Sequence, residues 1–224
     1  MNSPSPPFLC DPVLEAIQVA HGFGTRGAVA PDGTLRAKQV HGNTVARLEG
    51  GFRVSPTEAD ALLSRDPNQA VAIVTADCVP ILLASANGQC VAAVHAGWRG
   101  LVCGIIPAAI AALSEWGFTE LRAAIGPHAR ACCYEVDAPV LEALEGPFGS
   151  GVAEAIRPGR PGHAWLDLQT LALQALSEGG IGEERCGTAS ALCTVCRPEL
   201  FDSFRREGDR AGRLIHWVRP VRNA

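Results

Sequence analysis

Three short apolar segments, at residues 71–75, 79–84 and 90–94, most strongly constrain the fold of this chain. Each has the length and the uninterrupted apolar character of a buried strand. Asn87-Gly88 separates the second segment from the third and predicts a hairpin turn between them. A chain with these three segments is expected to form a sheet, with its other elements arranged around it.

Further periodic segments lie before and after this group. The expected strands are at 17–26, 35–41, 59–64, 121–125 and 214–218. Helices are expected from Ile105 to about 117 with Pro107 in the first turn, from Asp137 as N-cap to 144, and at 166–177. The last of these places Leu168, Leu171, Ala172, Ala175 and Leu176 on one face. A Gly- and Pro-rich segment, 146–161, is expected to be a surface loop.

Strands come early and helices late, which favours an α+β layered sandwich with mixed sheets over a strictly alternating α/β fold. The 224 residues suit one large domain, and no convincing domain boundary is visible. Residues 1–12 contain four prolines and are expected to form a loose arm. Residues 13–224 are then a single catalytic domain.

Composition excludes several classes of protein. With 47% hydrophobic and 19% charged residues, the chain is expected to be globular rather than disordered. A net charge of −4 indicates neither a nucleic-acid partner nor a membrane partner. The first residues lack a signal-peptide pattern, and the longest apolar stretch is too short to span a bilayer, so a cytoplasmic location is expected. The odd number of cysteines, nine, does not indicate a disulfide framework.

Three reactive side chains come at or near the ends of predicted strands: His41, Cys78 and His95. Two imidazoles and a thiolate suit zinc, and three protein ligands leave the fourth position open, as in catalytic zinc sites. The spacings of 37 and 17 residues match no local metal motif. Two other interpretations stay open. In the first, Cys78 and His95 form a nucleophilic pair oriented by Asp77 or Asp60. In the second, the three residues are a buried thiol and two ordinary histidines without a shared function.

The other cysteines give a weaker signal. Cys193 and Cys196 form a Cys-x-x-Cys pair, a pattern typical of a redox-active site or of half a zinc knuckle, but a second such pair is missing. The adjacent Cys132 and Cys133 are not expected to replace it, because neighbouring residues rarely share one tetrahedral ion. A packing role, or a loose role near the active cleft, is the expectation for these cysteines.

An anion site is also indicated. Arg26 lies beside a glycine turn, Lys38 lies three residues before His41, and Arg99 lies four residues after His95. Together these side chains are suited to hold a phosphate. Lys38 is the lone lysine beside eighteen arginines, which suggests a role for a compact ammonium group. Gln39 is added as a substrate-binding candidate.

Six motifs occur together in one order and carry a resemblance to a known family. They are Lys-Gln-Val-His-Gly (38–42), Thr-Ala-Asp-Cys-Val-Pro-Ile (75–81), Val-His-Ala-Gly-Trp-Arg-Gly (94–100), Ile-Gly-Pro (125–127), Cys-Cys-Tyr-Glu-Val (132–136) and Cys-Thr-Val-Cys (193–196). With them, the chain resembles the YfiH family, also called the polyphenol-oxidase or laccase-domain family and the peptidoglycan-editing-factor family. The resemblance runs from about His21 to Trp217.

The resemblance implies a compact layered α/β fold and zinc held by His41, Cys78 and His95. It also implies purine nucleoside phosphorylase activity on adenosine, inosine, guanosine and methylthioadenosine, with adenosine deaminase activity beside it. Two departures from the family pattern stand out. Gly-Ala-Val-Ala (27–30) replaces Gly-Gly-Val-Ser, and Asp-Ser-Phe-Arg-Arg (202–206) replaces Phe-Ser-Tyr-Arg-Arg.

Phosphorolysis requires an anion held beside the sugar and a proton for the leaving base. Arg26, Lys38 and Arg99 are the phosphate candidates, and Asp60, Asp77 and Glu135 are the acid–base candidates. The alternatives are a copper-dependent, laccase-like polyphenol oxidase and a cysteine-type amidohydrolase that edits peptidoglycan precursors. Six histidines without a His-x-His pair suit a multicopper cluster poorly.

Overall fold

A computed structural model of the chain describes residues 6–48 and 58–222. The strands, in chain order, are β1 (Phe8–Leu9), β2 (Ala20–Gly24), β3 (Val45–Leu48), β4 (Ala61–Ser64), β5 (Val71–Thr75), β6 (Val79–Ser85), β7 (Val91–Ala96), β8 (Leu121–Ile125), β9 (Glu135–Asp137), β10 (Ile156–Pro158), β11 (His163–Leu166), β12 (Cys186–Gly187) and β13 (Leu214–Arg219). The helices are α1 (Pro12–Glu15), α2 (Trp98–Val102), α3 (Ile105–Glu115), α4 (Ala138–Phe148), α5 (Gly151–Ala155), α6 (Leu168–Glu178) and α7 (Phe204–Glu207).

Two sheets and a helical layer organise the molecule. The larger sheet has six strands in the order β12-β8-β6-β7-β4-β3, and its ladders are both parallel and antiparallel. The second sheet is antiparallel, with the order β1-β2-β13-β5. A smaller three-stranded sheet, β10-β11-β9, completes the strands. The predicted α+β layered fold with mixed sheets is confirmed.

Strands β4, β6 and β7 of the six-stranded sheet are buried on both faces, which explains why they are apolar without alternation. On one face Leu62 and Leu82 belong to a core shared with Phe23 and Ile73 of the four-stranded sheet. Neighbouring residues on the other face pack against the helices, as Ile81 does in the core that contains Leu113 and Leu171. This second core is the larger of the two, and it extends to α6.

Most of the predicted elements are present. Strands β5 and β8 have the predicted bounds, β6 and β7 pair as an antiparallel hairpin, and Gly88 in the connecting turn has a φ of +70°. Helix α6 buries all five predicted residues: Leu168, Leu171, Ala172, Ala175 and Leu176. Helix α2 and strand β3 were not predicted. No helix within 6–48 and 58–222 has the length and apolarity needed to cross a bilayer.

The prediction of a strand at 35–41 is wrong. This segment makes isolated bridges, from Leu35 to Val71 and from Lys38 to Glu58, but no ladder. The Gln39 side chain takes the place of a partner strand here. Its Nε2 donates to Val74 O at 2.8 Å, and its Oε1 accepts from Val74 N at 2.7 Å. The backbone beyond Gln39 turns instead around a buried carboxylate, Asp60.

Two other segments differ from the sequence prediction because tertiary contacts override their composition. Residues 146–161 are not a surface loop: α4 continues to Phe148, α5 follows, and β10 pairs with β11. Residues 8–12 of the expected loose arm are ordered, since β1 pairs with β2 and Asp11 caps α1 through the Val13 N–H. Residues 1–5 of that arm lie outside the described residues.

Candidate metal and substrate site

His41, Cys78 and His95 converge although they lie far apart in sequence. One ligand atom of each lies within 4.8 Å of the others, and the two imidazole centroids are 4.7 Å apart. His95 is near the end of β7, Cys78 is in the crossing from β5 to β6, and His41 is in the turn before β3. Cys78 lies near His95 because Pro80, two residues further on, pairs with His95 in the β6–β7 ladder. His41 joins them because Asp60 binds both the His41 N–H and the His95 ring.

Asp60 positions two of these side chains without lining the cleft beside them. Its carboxylate is fully buried and lies 2.8 Å from His95 Nδ1, which leaves Nε2 to face the site. It also accepts backbone N–H bonds from Val40, His41 and Gly42, at 2.7–3.3 Å. Burial raises the pKa of Asp60, but the hydrogen bonds from His95 and the backbone outweigh this and lower it overall. Asp60 is therefore a positioning residue, rather than the acid or base predicted.

Hydrogen bonding stabilises the thiolate of Cys78. Burial raises the pKa of Cys78, but hydrogen bonds with His41 and His95 lower it to about 6. Burial lowers the pKa of His95, yet its bonds with Asp60 and Cys78 raise it to about 9. An anionic sulfur between two imidazoles is the form of ligand that a borderline-soft cation prefers.

The backbone around the three side chains is shaped to leave room for an ion. A Cβ on Gly97 would lie 2.9 Å from Cys78 Sγ and 3.3 Å from His41 Nδ1, so only glycine fits there. His41 has a φ of +60° and Asp77 a φ of +89°, a region that L residues rarely adopt. The donor set, its mutual distances and the carboxylate behind His95 together fit zinc.

These residues lie in the wall of a cleft of about 930 Å³. Three aromatic side chains line it, Trp98, Tyr134 and Phe204, and the Phe204 side chain is 48% exposed. The basic residues in the wall are Arg36, Lys38, Arg99, Arg205 and Arg213. Among the described residues that line the cleft, Asp77 is the single carboxylate. The cleft is thus basic although the whole chain carries a net charge of −4.

The structure places three of the four predicted phosphate- and substrate-binding residues in the cleft wall and one outside it. Arg99 lines the cleft, with its guanidinium 4.3 Å from the Trp98 ring centroid. Lys38 also lines it, but its ammonium is 2.7 Å from Glu58. Gln39 reaches the wall with its amide already bonded to Val74. Arg26 is not in the wall: it pairs with Asp202 at 3.0 Å and Glu207 at 2.9 Å, so the structure separates it from the other candidates.

The other predicted acid–base residues are also engaged by the protein. Asp77 lines the cleft, but Thr194 Oγ1 donates to its Oδ1 at 2.6 Å, and Ser203 Oγ donates to its Oδ2 at 3.0 Å. The Arg205 N–H adds a further bond at 2.6 Å. Glu135 does not line the cleft and pairs with Arg160 at 2.7 Å. The geometry gives Asp77 a positioning role in place of the predicted acid–base role.

Sequence reasoning missed three arginines in the cleft wall, Arg36, Arg205 and Arg213, and the aromatic residue Phe204 next to Arg205. Arg205 stacks on Tyr134, with 4.3 Å from its guanidinium carbon to the ring centroid, and Arg213 lies near the start of β13. Both follow the last predicted motif by at least nine residues, and no local spacing ties them to His41 or His95. The one available signal was the motif 202–206, which contains Phe204 and Arg205.

The layered fold and this His-Cys-His constellation define a class of mixed α/β proteins with a candidate metal site in a cleft at one sheet edge. Within that class, the chain belongs to the YfiH family. The family model described as multi-copper polyphenol oxidoreductase laccase matches residues 25–220.

Individual relatives agree with this assignment. A protein of Xylella fastidiosa named purine nucleoside phosphorylase is 37% identical over 187 residues, which cover 81% of this chain and 70% of that protein. The Escherichia coli protein named purine nucleoside phosphorylase YfiH is 34% identical over 191 residues, which cover 84% of this chain and 74% of the relative. The crystal structure of Bacillus licheniformis hypothetical protein YfiH superposes with a TM-score of 0.86 at 24% identity and covers 98% of each chain, which shows the shared fold.

Proposed function

We propose that this chain is a zinc-dependent purine nucleoside phosphorylase that cleaves adenosine, inosine, guanosine and methylthioadenosine with phosphate. The names of the relatives support the activity. The observation that carries the proposal is the cleft itself, where a zinc-type ligand set, a basic wall and aromatic faces meet in one space. The basic wall suits phosphate, the aromatic faces suit a purine, and the metal ligands supply a further charge in the same cleft.

The basic wall is suited to phosphate. The wall contains five positive side chains and one carboxylate, that of Asp77. The Asp77 carboxylate already accepts hydrogen bonds from Thr194 and Ser203. Arg99 is held over Trp98 and presents its guanidinium to the cleft. A bound phosphate beside the sugar is positioned to attack C1′ as positive charge develops on the ribose.

The aromatic wall is suited to a purine. Phe204 exposes 48% of its side chain, an unusual exposure for a phenylalanine, and it lies in the same cleft as Tyr134. A purine stacked there covers apolar surface that is otherwise exposed to water. Arg205, held over Tyr134, adds a cation at the edge of this surface.

Zinc is the proposed metal, and His41, Cys78 and His95 are its proposed ligands. When bound, the ion supplies a Lewis-acidic charge that polarises a substrate atom. A blue-copper centre adds a weak axial methionine or a comparable oxygen donor. The only methionine of this chain is Met1, outside the described residues, and the Gln39 amide is bonded to Val74.

Adenosine deaminase activity is proposed as a second reaction of the same cleft. The reaction replaces the amino group at C6 of adenine with oxygen from water, which zinc sites elsewhere support. For this chain the proposal depends on the same metal ligands and on a purine bound against Phe204.

One observation favours a second candidate, a cysteine-type amidohydrolase acting on cell-wall precursors. Cys78, His95 and Asp60 are connected by hydrogen bonds in the order of a nucleophile, a base and an orienting acid. Such a triad does not need His41, whereas a zinc site does. Because His41 also converges on the thiol, the metal function is the better supported.

Product analysis separates these functions. Purified protein is incubated with adenosine, with and without phosphate, and the products are separated by chromatography. Adenine and ribose-1-phosphate, formed only with phosphate, are expected, together with a slower release of inosine. Adenosine recovered intact, with amino-acid release from a nucleotide-linked muropeptide, would overturn the proposal.

A matched pair of variants tests the role of the basic wall. Arg99→Ala is expected to raise the KM for phosphate by about 10-fold or more, because a charge-assisted hydrogen bond is lost. Arg157→Ala, in β10 and outside the cleft, is the control and is expected to leave this KM unchanged. An equal effect of both variants on KM would contradict phosphate binding by Arg99.

A further inference from the structure

Four cysteines outside the candidate active site converge on a second point. The sulfur atoms of Cys132, Cys133, Cys193 and Cys196 all lie within 4.8 Å of one another. Cys196 Sγ is 3.2 Å from Cys133 Sγ and 3.6 Å from Cys132 Sγ. The sequence predicts no shared site for these residues, because Cys132 and Cys133 are adjacent. Their positions in the fold contradict that expectation.

Backbone hydrogen bonds bring the two cysteine pairs together. The N–H groups of Cys133 and Tyr134 both donate to Arg130 O, at 2.9 and 3.0 Å, and so form a tight turn at the first pair. Residue 128 joins this turn to the second pair. His128 N donates to Leu192 O at 3.1 Å and Thr194 N donates to His128 O at 3.0 Å. The turn makes both adjacent thiols face one partner loop.

We propose that these four cysteines bind a thiophilic divalent cation, zinc, in a structural tetrathiolate site separate from His41, Cys78 and His95. With Zn–S bonds of about 2.3 Å, tetrahedral geometry separates the sulfurs by about 3.8 Å. The sulfur separations of 3.2 to 4.8 Å bracket that value, so an ion fits among them with small adjustments of the side chains. A single disulfide uses two of these sulfurs and leaves the other two without a role.

The hydrogen bonds around Cys193 also point to a metal ligand. The backbone N–H groups of Arg130 and Cys196 both donate to the Cys193 sulfur. N–H donors stabilise a thiolate, and metal-binding ligands depend on such outer bonds to hold their orientation. One of the two donors comes from each cysteine segment, so the bonds also fix the distance between the segments.

An ion at this position strengthens one wall of the cleft without touching a substrate. Tyr134, which lines the cleft, directly follows Cys133. Thr194, between the other two cysteines, holds Asp77 at 2.6 Å, and Asp77 precedes Cys78. The proposed site is thus a cross-link between two loops that support the active-site cleft.

Zinc content measured per chain tests the proposal. Wild-type protein is compared with the double variant Cys132→Ser/Cys196→Ser, both at exposed positions, with the control Cys103→Ser, an exposed cysteine outside the cluster, and with His41→Ala. The double variant is expected to hold one zinc fewer than wild type and to melt at a lower temperature, while Cys103→Ser matches wild type. Equal zinc content in the double variant and wild type would overturn the proposal.

Cobalt(II) substitution provides a second readout that does not depend on the phosphorylase proposal. Bound to four thiolates, cobalt(II) gives an intense charge-transfer absorption. The absorption of four thiolates is expected in wild type and in His41→Ala, and in the double variant it is expected to fall to the weaker absorption of one thiolate, Cys78. If instead anaerobically purified wild-type protein contains a disulfide between Cys133 and Cys196, the tetrathiolate site is wrong. If His41→Ala loses nucleoside cleavage but keeps the cobalt absorption of the four thiolates, the two sites are separate.

Discussion

Two residues that supply no ligand atom decide whether the His-Cys-His set can form. Gly97 leaves the space next to Cys78 Sγ and His41 Nδ1, and Asp60 connects His95 to the turn that carries His41. The geometry of the proposed metal site therefore depends on one missing methyl group and one buried carboxylate. Neither residue is recognisable as a site residue from its type alone.

Gly97→Ala is expected to weaken zinc binding at least 10-fold while the protein stays folded. The new methyl group intrudes on two ligands, but the φ of −75° at Gly97 suits alanine, so the backbone is not strained. Zinc titration against a competing chelator measures the effect. Gly146→Ala is the matched control, because a Cβ in α4 meets nothing within 4 Å there. Wild-type zinc affinity in Gly97→Ala would show that the ion does not occupy this space.

At the residue scale, sequence reasoning grouped the three candidate ligands that the fold brings together, but it did not predict their surroundings. His41, Cys78 and His95 could be grouped through the family motifs, since spacings of 37 and 17 residues carry no local signal. Asp60, Asp77 and Lys38 are already bonded to protein partners, which lie up to 128 residues away in sequence, as Arg205 does from Asp77. Only the folded chain shows which charged groups are already paired.

At the scale of elements, burial on both faces made the central strands easy to predict. Strand β6 is buried at all seven positions, and its apolar residues alternate between the two cores. Segments 35–41 and 146–161 were mispredicted for opposite reasons. In the first, side-chain hydrogen bonds replace a strand ladder; in the second, packing of Phe148 and Val152 overrides the glycine and proline content.

Leu82→Ala in β6 is expected to lower the free energy of unfolding by about 2–5 kcal/mol. Leu82 is fully buried between the two sheets, so truncation leaves a cavity at the centre of the sandwich. Urea denaturation followed by circular dichroism measures the change. Val29→Ala, at a position 81% exposed, is the matched apolar control and is expected to change stability by about 0.5 kcal/mol or less. Similar losses in both variants would contradict the layered core.

At the scale of the whole molecule, two buried neutral histidines make stability depend on pH. His128 bonds Gly126 O at 2.8 Å through Nδ1, and His216 bonds Thr75 Oγ1 at 2.8 Å. Burial lowers the pKa of His128 to about 4 and that of His216 to about 3. The unfolded chain binds protons at these histidines near pH 6.5, whereas the folded chain does not, so stability falls as the pH drops from 6.5 towards 4.

His128→Asn isolates one part of this effect. An asparagine amide is able to donate to Gly126 O but does not titrate, so the loss of stability between pH 7 and pH 4 is expected to be smaller by about 3 kcal/mol than in wild type. Arg130 lowers the pKa of His128 and Asp167 raises it, and both residues are unchanged in the variant. Urea denaturation at both pH values measures the difference. Parallel pH profiles for the two proteins would show that His128 titrates normally.

The order of the four-stranded sheet has a consequence for how this protein is made. Strand β13, the last strand in the described chain, lies between β2 and β5 rather than at an edge. A ribosome that synthesises the chain from its first residue therefore releases the strands on either side long before the one that joins them. Until residue 219 emerges, β2 and β5 each expose an unpaired edge, and Phe23 and Ile73 lack part of their cover. These open edges and uncovered apolar side chains favour association between nascent chains until β13 pairs with both strands.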